Sequence, residues 1–148
     1  MNKFIYSVFA IMIMATSPAS ADSKNGALSA AQAWIDAINR NDLDAIVAIF
    51  AGDAHFFGTS TKTLVDSSDG IKKYFAAVYA KFAPLSVQLG EVSVSELSAD
   101  SAVMTGYDQW QLTIDGQPTK GIGRLSIAVA RRDGQWRIVS FHRSAMPN

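Results

Sequence analysis

At Pro84 the spacing of the apolar residues switches from helical to alternating. Before it, Leu28, Ala31, Ile35 and Ile38 share one helical face, with Trp34 beside them. Leu43, Ile46, Val47 and Phe50 form a second helical stripe. Ile71, Tyr74, Phe75, Val78 and Phe82 form a third, which Pro84 must stop because proline has no amide proton to continue a helix. After Pro84 the period is two. Leu85, Val87 and Leu89 alternate, and Val92 and Val94 alternate in the opposite phase, which predicts a bulge or bend at Gly90-Glu91. Ala102, Met104, Trp110, Leu112 and Ile114 share one face of the next strand. Asp115-Gly116 and Asp133-Gly134 are hairpin turn signals, and they separate two further strands over Lys120–Arg131 and Trp136–Ala145.

Local signals refine the helical half. Asp22–Gly26 is polar and expected to fray, and Ser29 with Gln32 has capping-box spacing for the first helix. Asn39–Asp42 is a polar break in which Asp42 can cap the second helix, with Gly52 ending it. Ala54–Gly58 reads as a short strand and Thr59–Ser68 as a loop, with the third helix starting at Ser68-Asp69. Helices first and a bent antiparallel sheet after them is an α+β layout. Three helices can cover only one face of a long curled sheet. A cone results, with a pocket between the layers. Tyr107, Gln109, Gln111 and Thr113 are left for solvent or a second subunit.

The N-terminal segment reads as an address. Lys3 precedes an apolar run, Phe4 to Ala15, that is shorter than the roughly 20 residues a membrane span takes. Ser17-Pro18 breaks it, and Ala19-Ser20-Ala21 has the small-x-small pattern of a cleavage site. Met1–Ala21 is therefore expected to be a cleaved secretory signal, leaving a single domain over residues 22–148, periplasmic or secreted, with no stable membrane anchor. No cysteine is present, so neither lipid attachment nor a disulfide is available and packing must supply the stability.

Composition excludes several functions. The 13 basic residues are matched by 13 acidic ones, which argues against nucleic acid, whose binders need a basic surplus. Hydrophobic residues make up 49% of the chain, enough for a core, and 148 residues allow one ordinary domain rather than two. Two histidines and no cysteine cannot close a metal site, and no cofactor is expected. There is no phosphate loop, no Gly-x-Ser-x-Gly elbow and no Ser-His-Asp set. Gly121-x-Gly123 lies in a strand with no helix after it, so it is not a dinucleotide fingerprint.

Asp108 is the most informative polar residue, because it is in register with Met104, Trp110 and Leu112 on the apolar face. A carboxylate there needs a cationic partner or must stay protonated. The second option suits general acid–base catalysis. The alternatives are an ion pair with Arg124 or Arg143, or a bulge that turns the side chain outward. Arg143 is in the register of Phe141 and could donate to a carboxylate or bicarbonate, or lie exposed near the chain end. His142 faces the opposite way, as an interface or structural residue. His55, before Phe56-Phe57, could reach the pocket mouth. Trp34, Tyr74, Tyr79, Phe56, Phe57 and Trp110 are explained by core packing, and some are candidates for the wall around a flat ligand.

The element order resembles the nuclear-transport-factor-2-like, or SnoaL-like, superfamily. The stretches Gly123-Arg124-Leu125-Ser126, Arg131-Arg132-Asp133-Gly134-Gln135-Trp136 and Ile138 to Pro147 resemble the association domain of calcium/calmodulin-dependent protein kinase II and its exported bacterial relatives. That resemblance implies a homodimer or higher ring and a pocket for small carboxylates. Arg143 corresponds to the last of the pocket arginines; the other two positions fall on Ile127 and near Tyr107, with Arg124 as a substitute. Ketosteroid isomerases of the superfamily imply an alternative, a cofactor-free isomerase, cyclase or hydratase with Asp108 as acid or base. Phe141-His142-Arg143-Ser144 also resembles the His-His-Ser-Ser ending of metal-free iota-class carbonic anhydrases, matching at Ser144. The resulting expectation is an exported, self-associating domain that binds a small anionic or aromatic ligand. Asp108 is the catalytic candidate. Arg143, Arg124, Tyr107, Trp110, His55 and Ser144 are the binding candidates.

Overall fold

The computed structural model describes residues 19–147. Of the expected leader Met1–Ala21, residues 1–18 lie outside the described chain. Three helices, α1 (Ala19–Asn39), α2 (Leu43–Ile49) and α3 (Ser68–Phe82), pack on one face of a curved five-stranded sheet. The strands are β1 (Phe50–Phe57), β2 (Leu85–Ser98), β3 (Ser101–Ile114), β4 (Gln117–Arg132) and β5 (Gln135–Ala145), ordered β1-β5-β4-β3-β2.

The helix ends follow from their sequence. Asn41 adopts φ 54°, and the amides of Asn41 and Asp42 return to the carbonyls of Ile38 and Ala37. That pairing is a left-handed C-terminal cap, a conformation asparagine tolerates well. The next residue, Asp42, accepts from the Ala45 amide at 2.9 Å and starts α2. Ser67 caps α3 in the same way, through the Gly70 amide at 3.2 Å. The chain therefore turns from α1 into α2 without a loop.

Five expectations are corrected. Asp22–Gly26 is not frayed and Ser29 is not a cap, because α1 is already helical from Ala19. Ser23 is buried and donates to Glu96 at 2.8 Å, while Asp22 pairs with Arg131, so tertiary contacts hold a turn that propensity alone would leave loose. Gly52 does not end α2: the helix stops at Ile49, and Phe50 opens β1. The sheet is mixed rather than antiparallel, since β1 runs parallel to β5 with Phe56 beside Phe141. Phe57 is not a core residue; it is 40% exposed, because alternation along β1 turns it away from Phe56.

The core lies between the layers. Ala27, Ala30, Ala31, Trp34, Ile35 and Ile38 form the buried stripe of α1. Their small members let the helix approach β2 and β3. Trp34 meets Phe141 at 4.9 Å between ring centroids, and Phe56 stacks on Phe141 at 5.0 Å. Burying one such ring is worth about 2 kcal/mol. Asn39 closes the roof on the edge strand. Its side chain donates to the Val87 carbonyl at 2.9 Å and accepts from the Val87 amide at 2.7 Å, occupying groups that an edge would otherwise leave open. The bend in β2 falls where the phase of the valines changes, as the register slips between Leu89 and Val92.

Candidate functional site

On β3, Met104, Asp108, Trp110 and Leu112 face the helices by simple alternation, and Asp108 is fully buried. On β4 the residue opposite Asp108 is Gly123. On β5, Arg143 lies opposite Leu125, one pleat further along the same face. Its side chain runs back over Gly123. Nε meets Asp108 Oδ2 at 2.5 Å, and Nη2 meets Oδ1 at 2.6 Å. Nη1 donates to Thr59 Oγ1 at 2.7 Å. Gly123 is what admits this pair. A Cβ there would stand 2.5 Å from Nη2 and 2.7 Å from Oδ1. Gly121 serves Trp110 in the same manner, with a Cβ falling 2.3 Å from the indole.

A fork-to-fork pair is the geometry in which arginine binds a carboxylate most strongly. Withdrawing both groups from water is costly, and removing one partner from such a buried pair costs about 3–5 kcal/mol. Both Asp108 oxygens are engaged. Three of the five guanidinium N–H groups of Arg143 are used, leaving two on the terminal nitrogens.

Beside the pair lies a cavity of about 270 Å³. Trp34, Phe56, Phe75 and Phe141 make its buried floor. Trp110 and Leu112 form the sheet wall, and Tyr74, Val78 and Phe82 the helix wall. Thr59, Ser60 and Ile114, all exposed, form the mouth. Among the described residues, Arg143 is the one charged side chain in the lining. An apolar hollow with few convergent polar groups is the usual form of a small-molecule site. Behind this floor, among the described residues, no acceptor reaches the fully buried Nε1–H of Trp34. A donor left so costs about 1–3 kcal/mol.

The structure divides the residues singled out in the sequence. Asp108, Arg143 and Trp110 come together on the inner face. Arg124, Tyr107 and Ser144 do not join them. They lie with Ser126 and His142 along a groove on the opposite face of the sheet, where Arg124 donates to Ser144 at 3.2 Å. Arg124 therefore does not enter the pocket, because Gly123 occupies the inward position. His55 is exposed and absent from the cavity wall. His142 sits outside against Phe57, with ring centroids 6.1 Å apart. Trp34, Phe56, Tyr74 and Trp110 line the cavity, whereas Tyr79 bonds to the Ile38 carbonyl within the core. Thr59 and Gly123 had no assigned part. The sign of Gly123 was a glycine inside a strand, which marks a close approach.

A curved sheet roofed by three helices around one apolar hollow defines the nuclear-transport-factor-2-like, or cystatin-like, architecture. The chain belongs to the SnoaL-like domain family, whose family model matches residues 27–148. A Xanthomonas campestris protein provisionally described as a calcium/calmodulin-dependent protein kinase II association domain is similar over 95% of this chain and 99% of its own, at 26% identity and TM-score 0.75. A Novosphingobium aromaticivorans protein provisionally described as an aromatic ring hydroxylase shares 23% identity over 86% and 92% of the two chains, with TM-score 0.75. A Streptomyces avermitilis protein of the same fold family, provisionally described as a dehydratase, shares 16% over 85% and 98%, with TM-score 0.74. The last two likenesses are of fold. No curated protein matches this chain.

Proposed function

We propose that this protein is an exported small-molecule-binding domain that self-associates through the outer face of its sheet. The observation that carries the binding reading is the pairing of an apolar hollow of about 270 Å³ with, among the described residues, a single charged side chain, Arg143. Because Asp108 neutralises Arg143, full negative charge on a ligand gains little there. The favoured occupant is a compact aromatic or alicyclic body, with a polar group toward the two remaining guanidinium N–H groups.

The competing reading is a cofactor-free isomerase, cyclase or hydratase in which Asp108 acts as acid or base. It draws support from the Streptomyces avermitilis protein described as a dehydratase. It requires the Asp108–Arg143 pair to open, since both carboxylate oxygens are occupied. The closed pair favours binding.

Self-association is supported by Tyr107, Ile122 and Met146, which are 43%, 49% and 45% exposed and line one outer groove, and by the association-domain description of the Xanthomonas campestris protein. Export rests on the leader pattern in the sequence.

Thermal shift with 2-naphthoate, benzoate and acetate tests the binding reading. The aromatic probes are expected to raise Tm and acetate to leave it unchanged. The double variant Asp108→Asn/Arg143→Met is expected to lose part of the naphthoate shift. No shift with either aromatic probe overturns the reading. In sedimentation, a dimer or ring that Ile122→Asp converts to monomer is the expected result. N-terminal sequencing of the exported protein is expected to start at Asp22.

A further inference from the structure

Polarity in the cavity runs one way. The floor is made of the rings of Trp34, Phe56, Phe75 and Phe141, and the one polar side-chain atom among them, Trp34 Nε1, is sealed from the hollow. At the mouth stand the hydroxyls of Thr59 and Ser60, with Arg143 and its two remaining N–H groups beside them. Tyr74, on the helix wall, adds a further hydroxyl at that end. Its ring is set edge-on against Phe56 and Phe75, at 4.8 and 5.2 Å between centroids. Its phenol end lies against Gly58, where a Cβ would stand 2.4 Å from the oxygen, and the next residue is Thr59 of the mouth. Among the described residues this hydroxyl has no hydrogen-bond partner, yet it is not sealed, because the buried unmet side-chain atom there is Trp34 Nε1 alone. A phenylalanine would make the same ring contacts, so the oxygen adds nothing to the packing.

We infer that Tyr74 is a ligand-recognition residue, and that the ligand is an uncharged cyclic carbonyl compound bound ring-inward, with its carbonyl oxygen at the mouth. This rests on the cavity-binding reading and deepens it. The orientation follows from the one-way polarity. A ring on the floor leaves water for other rings, whereas a carbonyl sunk there loses its hydrogen bonds to water and gains none. A carbonyl suits the mouth because the groups gathered there are rich in donors. Arg143 can only donate, and the hydroxyls of Tyr74, Thr59 and Ser60 each carry a proton to give. The ligand needs no charge, because Asp108 already balances Arg143.

The test compares 1-tetralone with tetralin, which differ at the carbonyl alone. By calorimetry, Tyr74→Phe is expected to weaken 1-tetralone about fivefold, the size of one lost hydrogen bond, and to change tetralin less than about twofold. In the wild type, the carbonyl carbon of ¹³C-labelled 1-tetralone is expected to resonate at or downfield of its position in water, because donors at the mouth take the place of water. A move upfield, toward its position in a hydrocarbon solvent, would put the carbonyl on the floor and overturn the inference. Equal weakening of both probes by Tyr74→Phe, or no weakening of 1-tetralone, would overturn it too. Cavity binding stands in each of these cases. If neither probe binds the wild type, both readings fall. The carbon spectrum needs no variant, so it decides even if Tyr74→Phe fails to fold.

Discussion

The guanidinium of Arg143 and the carboxylate of Asp108 meet fork to fork over Gly123, at 2.5 and 2.6 Å, with the carboxylate wholly buried. Such a pair is costly to break from one side and cheap to replace from both. Arg143→Ala should therefore lose about 3–5 kcal/mol in urea unfolding. Asp108→Asn/Arg143→Met should recover at least half of that. A double variant as unstable as Arg143→Ala would show that the loss is not one of an orphaned carboxylate.

Gly123 should be intolerant of even one methyl group. A Cβ would sit within 2.7 Å of both members of the pair, and the overlap should cost about 2 kcal/mol for Gly123→Ala. Gly52→Ala, where a Cβ meets nothing within 4 Å, should stay within about 0.5 kcal/mol. In the Asp108→Asn/Arg143→Met background the cost of Gly123→Ala should change, since touching residues do not act additively. An unchanged cost there would mean that the pair is not what the methyl group strikes.

Gly26→Ala opposes two effects. Alanine is the better helix former by about 1 kcal/mol. Yet a Cβ at Gly26 would stand 2.2 Å from the Trp136 indole, and the guanidinium of Arg131 already lies 4.8 Å from the centre of that ring. The ring has little room to retreat, so net destabilisation of about 1–2 kcal/mol is expected from thermal unfolding. A gain in Tm would mean that the ring moves freely.

Burial pushes the Tyr79 phenol up to about 12, with Asp42 adding to the effect. The folded value lies above the unfolded one, near 10, so Tyr79 contributes its full stability below pH 10. That contribution is lost as pH rises from 10 to about 12, because the unfolded chain ionises first. Tyr79→Phe should start less stable, lacking the bond to the Ile38 carbonyl, and should show a shallower fall over this window in urea titrations at stepped pH. Parallel slopes in the two proteins would refute the assignment.

Much of the architecture was readable locally. The stop at Pro84, the cap at Asp42 and the slip at Gly90-Glu91 are set by neighbours a few residues away, and each is found in the fold. The early start of α1 and the parallel placing of β1 were not readable. Asp22 and Ser23 are held by Arg131 and Glu96, far along the chain, and a parallel neighbour leaves no turn signal in the sequence. The cavity floor was visible as aromatic residues, but not as a hollow, since spacing does not report what a ring touches.

By itself the sequence determined the α+β order and the face of Asp108. The two-residue turn at Asp115-Gly116 forces Asp108 opposite Gly123 and Tyr107 opposite Arg124, which sends Arg124 outward. Only the tertiary structure decided which arginine meets Asp108. Counted from the turn at Asp133-Gly134, an unbroken register would put Arg143 on the outer face with Arg124. The extra residue Val139, between the pairs Val129–Ile138 and Ala128–Ser140, slips β5 by one and turns Arg143 inward. A one-residue slip exchanges the faces of every side chain beyond it, and what selects this slip is burial of Phe141 against Trp34 and Phe56, contacts that exist only once the helices and the sheet have closed.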